Sequence, residues 1–188
     1  LGTADSFQFA VDQTLIGKTN ATRGLGGAES FGDGIYRVSP EGVASGKHEL
    51  NEDLIIPKGY SFIINSSTTI DIKNNSSILS FSPIFINGQK DKEVNFISSD
   101  KTGEGIIVMN ANGLSKFNYV NFKDLSNPLK NNWNLSGAIT FYESDVEMFN
   151  SSFFNNIRGD DYLNIIRSNF SIHDTNFNFT FADAADFD

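Results

Sequence analysis

The chain has 188 residues, 39% of them hydrophobic and 20% charged, which is enough apolar material for one folded domain with a core of its own. Its net charge of −9, from 14 basic against 23 acidic residues, excludes the phosphate-neutralising surface on which nucleic-acid binding rests and disfavours an anionic membrane. Cysteine is absent, so disulfides, thiolate metal sites and cysteine nucleophiles are removed together. No apolar run approaches the roughly 20 residues that a spanning helix needs, and Leu1-Gly2-Thr3-Ala4-Asp5 lacks the charged and apolar regions of a signal peptide, as expected of a mature or excised piece. Eighteen Phe, abundant Asn and Ser, and four Pro describe short apolar strands separated by small polar turns.

In chain order, residues 1–34 carry no periodicity and are loaded with glycine (Gly24, Gly26, Gly27, Gly32, Gly34), which reads as a lead-in or linker. Within it, Phe7-Gln8-Phe9-Ala10-Val11 alternates weakly and is a candidate strand over the first rung. Residues 35–188 form the expected domain. Ile35-Tyr36-Arg37-Val38 alternates, and Asp53 to Tyr60 gives a strand stopped by Pro57-Lys58-Gly59. Ser61-Phe62-Ile63-Ile64 and Thr69-Ile70-Asp71-Ile72 follow after short polar joints. Such runs are too short for helices and too regularly punctuated for coil.

Internal repetition decides the architecture. A shift of 24 places Ile139, Phe141, Ser144, Val146, Met148 and Phe153 on Leu163, Ile165, Ser168, Phe170, Ile172 and Phe177. The preceding copy fits at 32 for Ile107 and Met109 on Ile139 and Phe141, and at 31 for Phe117 and Phe122 on Met148 and Phe153. The surplus lies in Asn127-Pro128-Leu129-Lys130-Asn131-Asn132-Trp133-Asn134, a polar insertion of the kind a solenoid throws out as a loop. Repeats of 20 to 30 residues built from short strands are one coil of a parallel solenoid. A leucine-rich horseshoe would need a leucine ladder and a helical return, and neither is present. The expectation is an all-β, right-handed parallel β-helix of about five or six rungs from near Leu50. Its core should hold Ile107, Met109, Phe117, Phe122, Ile139, Phe141, Met148, Phe153, Leu163, Ile165, Ile172 and Phe177.

The runs Gly137-Ala138-Ile139-Thr140-Phe141-Tyr142-Glu143-Ser144-Asp145-Val146, Asp161 to Ser168 and Asp183 to Asp188 resemble the right-handed β-helix repeats of bacterial surface proteins, of the pectin-lyase-like superfamily. Some of these sit beside spore-coat-kinase-like (CotH-like) domains. The resemblance covers roughly Leu50 to Asp188 and implies a fold. The group spans lyases, hydrolases, adhesins and tailspikes, so it does not fix a chemistry.

Acidic side chains gather at the C-terminal turns. Asp160, Asp161 and Asn164 fall in one repeat, and Asp183, Asp186 and Asp188 in the next. A spacing of 22 makes Asp161 and Asn164 equivalent to Asp183 and Asp186, whereas the strand shift of 24 stacks Asn164 on Asp188. Oxygen ligands converging from neighbouring rungs suit Ca²⁺, so Asp161, Asn164, Asp183, Asp186 and Asp188 are candidate ligands. The plainer reading is that Asp and Asn occupy turns because they bond nearby amides. Gly159-Asp160-Asp161 is similar to the Asp pair of polygalacturonase-type hydrolases, which makes Asp160 and Asp161 candidate catalytic carboxyls. The accompanying Asn-Thr-Asp, Gly-His-Gly and Arg-Ile-Lys motifs are missing, and His173 lacks flanking glycines. For a lyase base Arg158 or Arg167 can be named, although the shift of 24 pairs Arg167 with Glu143 in an ordinary cross-rung ion pair. His48 and His173 have no zinc-like spacing, and Gly24-Leu25-Gly26-Gly27 is no phosphate loop.

Strand alternation sends Thr140, Tyr142, Asn164 and Ile166 outward, so Tyr142, Asn164 and Ile166 form a candidate glycan platform, with Trp133 of the insertion as a further contact. Isolated surface apolar residues are common and need no function. The functional expectation is a non-catalytic, secreted or bacterial cell-surface module that binds a polysaccharide or a surface protein. A polysaccharide hydrolase or lyase using the Asp160/Asp161 region is its rival. Because Phe177, Phe179, Phe181 and Phe187 crowd the final residues without a polar cap, a further chain segment or another subunit is expected over the last rung.

Overall fold

A computed structural model describes residues 46–130 and 133–188, together with the strands Asn20–Thr22, Ala28–Phe31, Ile35–Val38 and Gly42–Ala44 upstream of them. The five lead-in glycines, Phe7 to Val11, Asn131 and Asn132 lie outside the described residues. Two strands, Asn20–Thr22 and Ala28–Phe31, fall inside the stretch read as a lead-in; they pair antiparallel with each other, and Ala28–Phe31 pairs antiparallel with Ile35–Val38. Every described element is a strand or a turn.

From Ile35 onward the strands coil through three parallel sheets. Sheet A contains Ile35–Val38, Leu54–Ile56, Ile78–Ser80, Ile106–Met109, Gly137–Tyr142, Asp161–Ile166 and Asp183–Phe187, extended at its first edge by the two antiparallel strands. Sheet B stacks Gly42–Ala44, Phe62–Asn65, Ile84–Asn87, Ser115–Asn118, Val146–Phe149 and Phe170–His173. Sheet C stacks Lys47–Leu50, Thr69–Ile72, Val94–Ile97, Val120–Lys123, Ser152–Phe154 and Asn176–Asn178. The chain visits A, B and C in turn about six times, so each strand meets its equivalent one coil later and no helical crossover is needed. This is the parallel β-solenoid that the repeats predict.

Alternation turns one side of each strand into the coil, and the inward columns run along the solenoid. In sheet C, Ile70, Phe96, Phe122, Phe153 and Phe177 are successive in-register neighbours. Their rings stack at 5.6 Å for Phe96 on Phe122, 4.7 Å for Phe122 on Phe153 and 4.5 Å for Phe153 on Phe177. Offset stacking adds to the area term at each step. The corners turn on left-handed residues that recur with the coil: Asn110, Glu143 and Arg167 between A and B, Tyr119, Asn150 and Asp174 between B and C, and Asp124, Asn155 and Phe179 between C and A. Asn and Asp tolerate this conformation, whereas Tyr, Glu, Arg and Phe adopt it because the bend recurs at the same position of each coil.

The register holds at 24 and 31 where expected, with Ile139 on Leu163, Met148 on Ile172 and Phe122 on Phe153. Phe117, Phe122, Ile139, Phe141, Met148, Phe153, Leu163 and Ile165 are buried in the main core, and Ile172 and Phe177 are partly buried against it. Two alignments are corrected. Ile106 and Val108, rather than Ile107 and Met109, pair with Ile139 and Phe141, so the shift there is 33 and not 32. Ile107 and Met109 therefore point out of the coil, and they are buried in a second apolar cluster with Ile55, Leu79 and Phe81, against which Leu135 and Tyr142 pack. In the last rung Asn164 pairs with Asp186 and Leu163 with Ala185, a shift of 22, because the final C-to-A corner is two residues shorter. Asp188 does not stack on Asn164, and Phe187 lies on Ile165 rather than continuing the Ile139–Leu163 column.

Candidate functional site

The insertion is where the solenoid departs most from repetition. Leu129–Lys130 pairs antiparallel with Trp133–Asn134, so the expected loop is a small hairpin with Trp133 opposite Lys130. Its base is tied to the next rung: the Asn127 amide donates to the Leu135 carbonyl at 2.7 Å, and Arg158 donates from Nε to Asn127 Oδ1 and from Nη2 to Asn127 O, each at 3.0 Å. Lys130 reaches back over the outer face of sheet A and contacts Asp53 Oδ1 directly, Ser77 Oγ at 3.1 Å and Glu104 Oε2 at 3.7 Å. Arg158 Nη2 stands 3.6 Å from the other Glu104 oxygen.

Glu104 is buried, and Oε2 accepts no hydrogen bond. Burial pushes its carboxyl above the ordinary range, while Lys130, a bond from the Leu129 backbone N–H and Arg158 pull the other way and Asp53 adds to the rise. Asp53 Oδ1 accepts from the Ser77 amide at 2.9 Å and from Ser77 Oγ at 3.1 Å. Sequence reasoning did not find this cluster. Its members come from five successive corners between sheets C and A, and the path of the insertion brings Lys130 back onto the earlier ones.

The acidic candidates occupy the far end of the same face. Asp161 and Asp183 are in register, as are Asn164 and Asp186. Asp161 and Asn164 are both buried, joined by a 3.2 Å bond from Asn164 Nδ2 to Asp161 Oδ2. Asn164 Nδ2 also lies 2.5 Å from Ser136 Oγ, while Asn164 Oδ1 has no partner. Gly137 is required here, since a Cβ at that position would meet Asn164 Cβ at 2.8 Å. Burial raises the Asp161 carboxyl, the bonds from Ser136 and Asn164 oppose the rise, and Asp186 and Asp160 push it further up. Asp160, Asp183, Asp186 and Asp188 are exposed. Among the described residues no group of three or more His, Cys, Asp or Glu side chains is placed to hold a metal ion.

Of the candidate platform, Tyr142 and Ile166 are neighbours across the rungs and both are half-buried. Arg167 lies 5.9 Å over the Tyr142 ring, with Nη1 at 3.2 Å from its hydroxyl and 3.4 Å from Glu143 Oε1, which is the expected cross-rung pair. Asn164 is on the same side of its strand as Ile166 but is buried and bonded to Ser136. A second aromatic group stands at the outer corner between sheets C and A. Phe154 and Phe179 meet edge to face at 5.2 Å, both exposed, and Lys123 Nζ lies 5.7 Å over Phe154. Phe181, two residues beyond Phe179, is exposed as well, an outward placement that a count of phenylalanines could not assign. Comparison with known protein families, with curated proteins and with solved structures finds no match.

Proposed function

We propose that this chain is a non-catalytic binding module of a secreted or cell-surface protein, whose ligand is a glycan or a partner protein. The observation that carries this reading is the set of outward aromatic side chains in the last rungs: Phe154 and Phe179 in contact, with Phe181 nearby. Exposed rings beside a lysine and several Asn and Asp side chains favour sugar rings or apolar protein anchors, and contiguous exposed apolar surface marks interaction sites. The half-buried Tyr142 and Ile166 extend the apolar character on the sheet A side.

A polysaccharide hydrolase or lyase, of the kind found in the pectin-lyase-like superfamily, is the second reading. It is favoured by the buried Asp161, whose raised carboxyl beside Asp160 is the state a general acid needs. A glycan-binding screen and a polyuronate-degradation assay on the same preparation separate the two. Saturable binding that is weakened in Phe179→Ala and retained in Asp161→Asn is expected. Turnover abolished in Asp161→Asn but surviving Phe179→Ala and Tyr142→Ala defeats the binding-module reading.

A further inference from the structure

We propose that Lys130 and Asp53 form an intramolecular isopeptide cross-link, with Glu104 as its proton carrier and Ser77 as the donor pair that stabilises the developing oxyanion. The assignment rests on which groups the fold puts in contact. Lys130 Nζ lies against Asp53 Oδ1 across 77 positions of sequence. Glu104 Oε2 faces the same nitrogen at 3.7 Å, is buried, and has no hydrogen bond to satisfy it. Ser77 presents its backbone N–H at 2.9 Å and its hydroxyl at 3.1 Å to Asp53 Oδ1, the oxygen that would carry negative charge in a tetrahedral intermediate. An amine, a carboxyl, a second carboxyl in reach of the amine, and two donors on one carboxyl oxygen make a complete set for amide formation.

The chemistry balances without an outside reagent. The Lys130 ammonium gives a proton to Glu104, whose burial already favours the protonated acid. The freed nitrogen lone pair then attacks Asp53 Cγ, and the pair of electrons displaced from the C–O bond rests on Oδ1 between the two Ser77 donors. Glu104 delivers its proton to Oδ2, accepts the proton that the nitrogen sheds, and delivers that one as well. The Cγ–Oδ2 bond breaks, water leaves, and Glu104 ends as the carboxylate it was at the start. The sum is one ammonium and one carboxylate converted to one amide and one water, with no change of oxidation state. Held contact replaces a bimolecular encounter, which is worth effective concentrations of order 10⁵ to 10⁸ M. Arg158, 3.6 Å from Glu104 Oε1, is a positioning residue that keeps Oε2 turned towards Lys130.

The product would tie the hairpin over the outer face of sheet A to the first described C-to-A corner, stapling together the rungs that carry Asp53, Ser77, Glu104 and Lys130. The test is the intact mass of the full chain after incubation at neutral pH, followed by tryptic digestion. The expected result is a mass lower than the sequence mass by one water. It should come with a branched peptide that joins residues 48–58 to residues 124–158, since trypsin does not cut after an acylated Lys130. Lys130→Arg should restore the full sequence mass, and Glu104→Gln should slow the loss of water by roughly 10²-fold or more. A wild-type chain that keeps its full mass overturns the proposal whether or not the variants fold. So does a branch that maps to a carboxyl other than Asp53. Cross-linking at the wild-type rate in folded Glu104→Gln overturns the role given to Glu104, and with it the mechanism.

Discussion

The corner at 98–105 and its equivalent one rung later, 124–136, perform the same turn from sheet C to sheet A by different means. The first is closed mainly by its own residues, with Asp71 and Asn74 of the rung before added to them. Asp100 accepts from Ser98 Oγ and the Thr102 amide, both at 3.0 Å, and from the Asn74 amide of the rung before at 3.0 Å, while Gly103 N–H donates to Ser98 Oγ at 2.8 Å. Although burial pushes the other way, these bonds hold the Asp100 carboxyl at about 2. The second corner is closed by side chains from elsewhere, through Arg158 on Asn127 and Lys130 on Asp53 and Glu104. Glu104 lies four residues from Asp100, yet its carboxyl is pushed up where that of Asp100 is held down. The acidic surplus of this protein is therefore not one property. Where a carboxylate accepts from backbone and side-chain donors at a corner it clips the turn, and a simpler form of the device, one backbone N–H and one side chain of the same residue, recurs with Asp71 on Ser99 and Asp145 on Asn169. Where it is buried, as at Glu104, it is pushed up even with cations beside it.

The contrast can be broken most severely at the seam between the two corners. Gly105 has φ +75°, and a Cβ there would meet the Ala138 carbonyl oxygen at 2.0 Å. Gly105→Ala is expected to lose about 3 kcal/mol or more, because backbone strain and overlap with an immovable carbonyl act together. Urea denaturation measures it, and a loss under about 1 kcal/mol would mean that the two corners are not packed as described. A smaller effect sharpens the role of Asp100. Its folded carboxyl lies at about 2 against an ordinary 3.8, so its contribution is fully present above about pH 4 and is lost as pH falls through 2. Since Asp100 is exposed, Asp100→Ala should cost only about 1 kcal/mol at neutral pH. The variant should also lose part of the pH dependence of stability between pH 4 and 2, read by denaturation at each pH. Glu104, whose carboxyl is raised, contributes a slope of the opposite sign above that window, so Glu104→Gln should leave the acid limb unchanged.

The two corners also differ in how far they can be read from the chain. Short corners consist of local polar residues, and apolar alternation survives across them. The columns through Phe122, Phe153 and Phe177 are therefore legible from residue spacing alone. The long corner hides the register of the strand before it, because a polar insertion can be absorbed at 32 or 33 with little change in hydrophobic matching. Ile106-Ile107-Val108-Met109 is apolar at every position, so alternation could not say which side faces in. The outward pair is buried in a second cluster with Ile55, Leu79 and Phe81, under Leu135 and Tyr142, which makes both faces look like core. For the candidate site, Asp161 and Asn164 were found as turn residues, but their burial depends on Ser136, and the cluster of Asp53, Glu104 and Lys130 has no sequence spacing that announces it.

The smallest expected effect lies one residue from Asp100. Lys101 sits at φ +63° and is exposed, and its backbone N–H donates to the Ser98 carbonyl at 3.1 Å. An L side chain in this region costs roughly 1–2 kcal/mol through contact of Cβ with the following carbonyl, a cost glycine does not carry. Glycine loses more backbone freedom on folding, which offsets about half of that. Lys101→Gly should therefore stabilise the chain by about 0.5 kcal/mol, and the β-branched Lys101→Val should destabilise it by more than that, since a branched Cβ tolerates this conformation least. Paired urea titrations of the two variants measure the difference between them. Equal midpoints would mean that the corner relaxes freely out of the left-handed state, in which case the Asp100 clip does not fix the backbone that it contacts. A spread with glycine above wild type and valine below would make the corner at 98–105 a rigid turn, held by short-range bonds of its own and of the adjacent rung, where the corner at 124–136 is held by side chains that reach across several rungs.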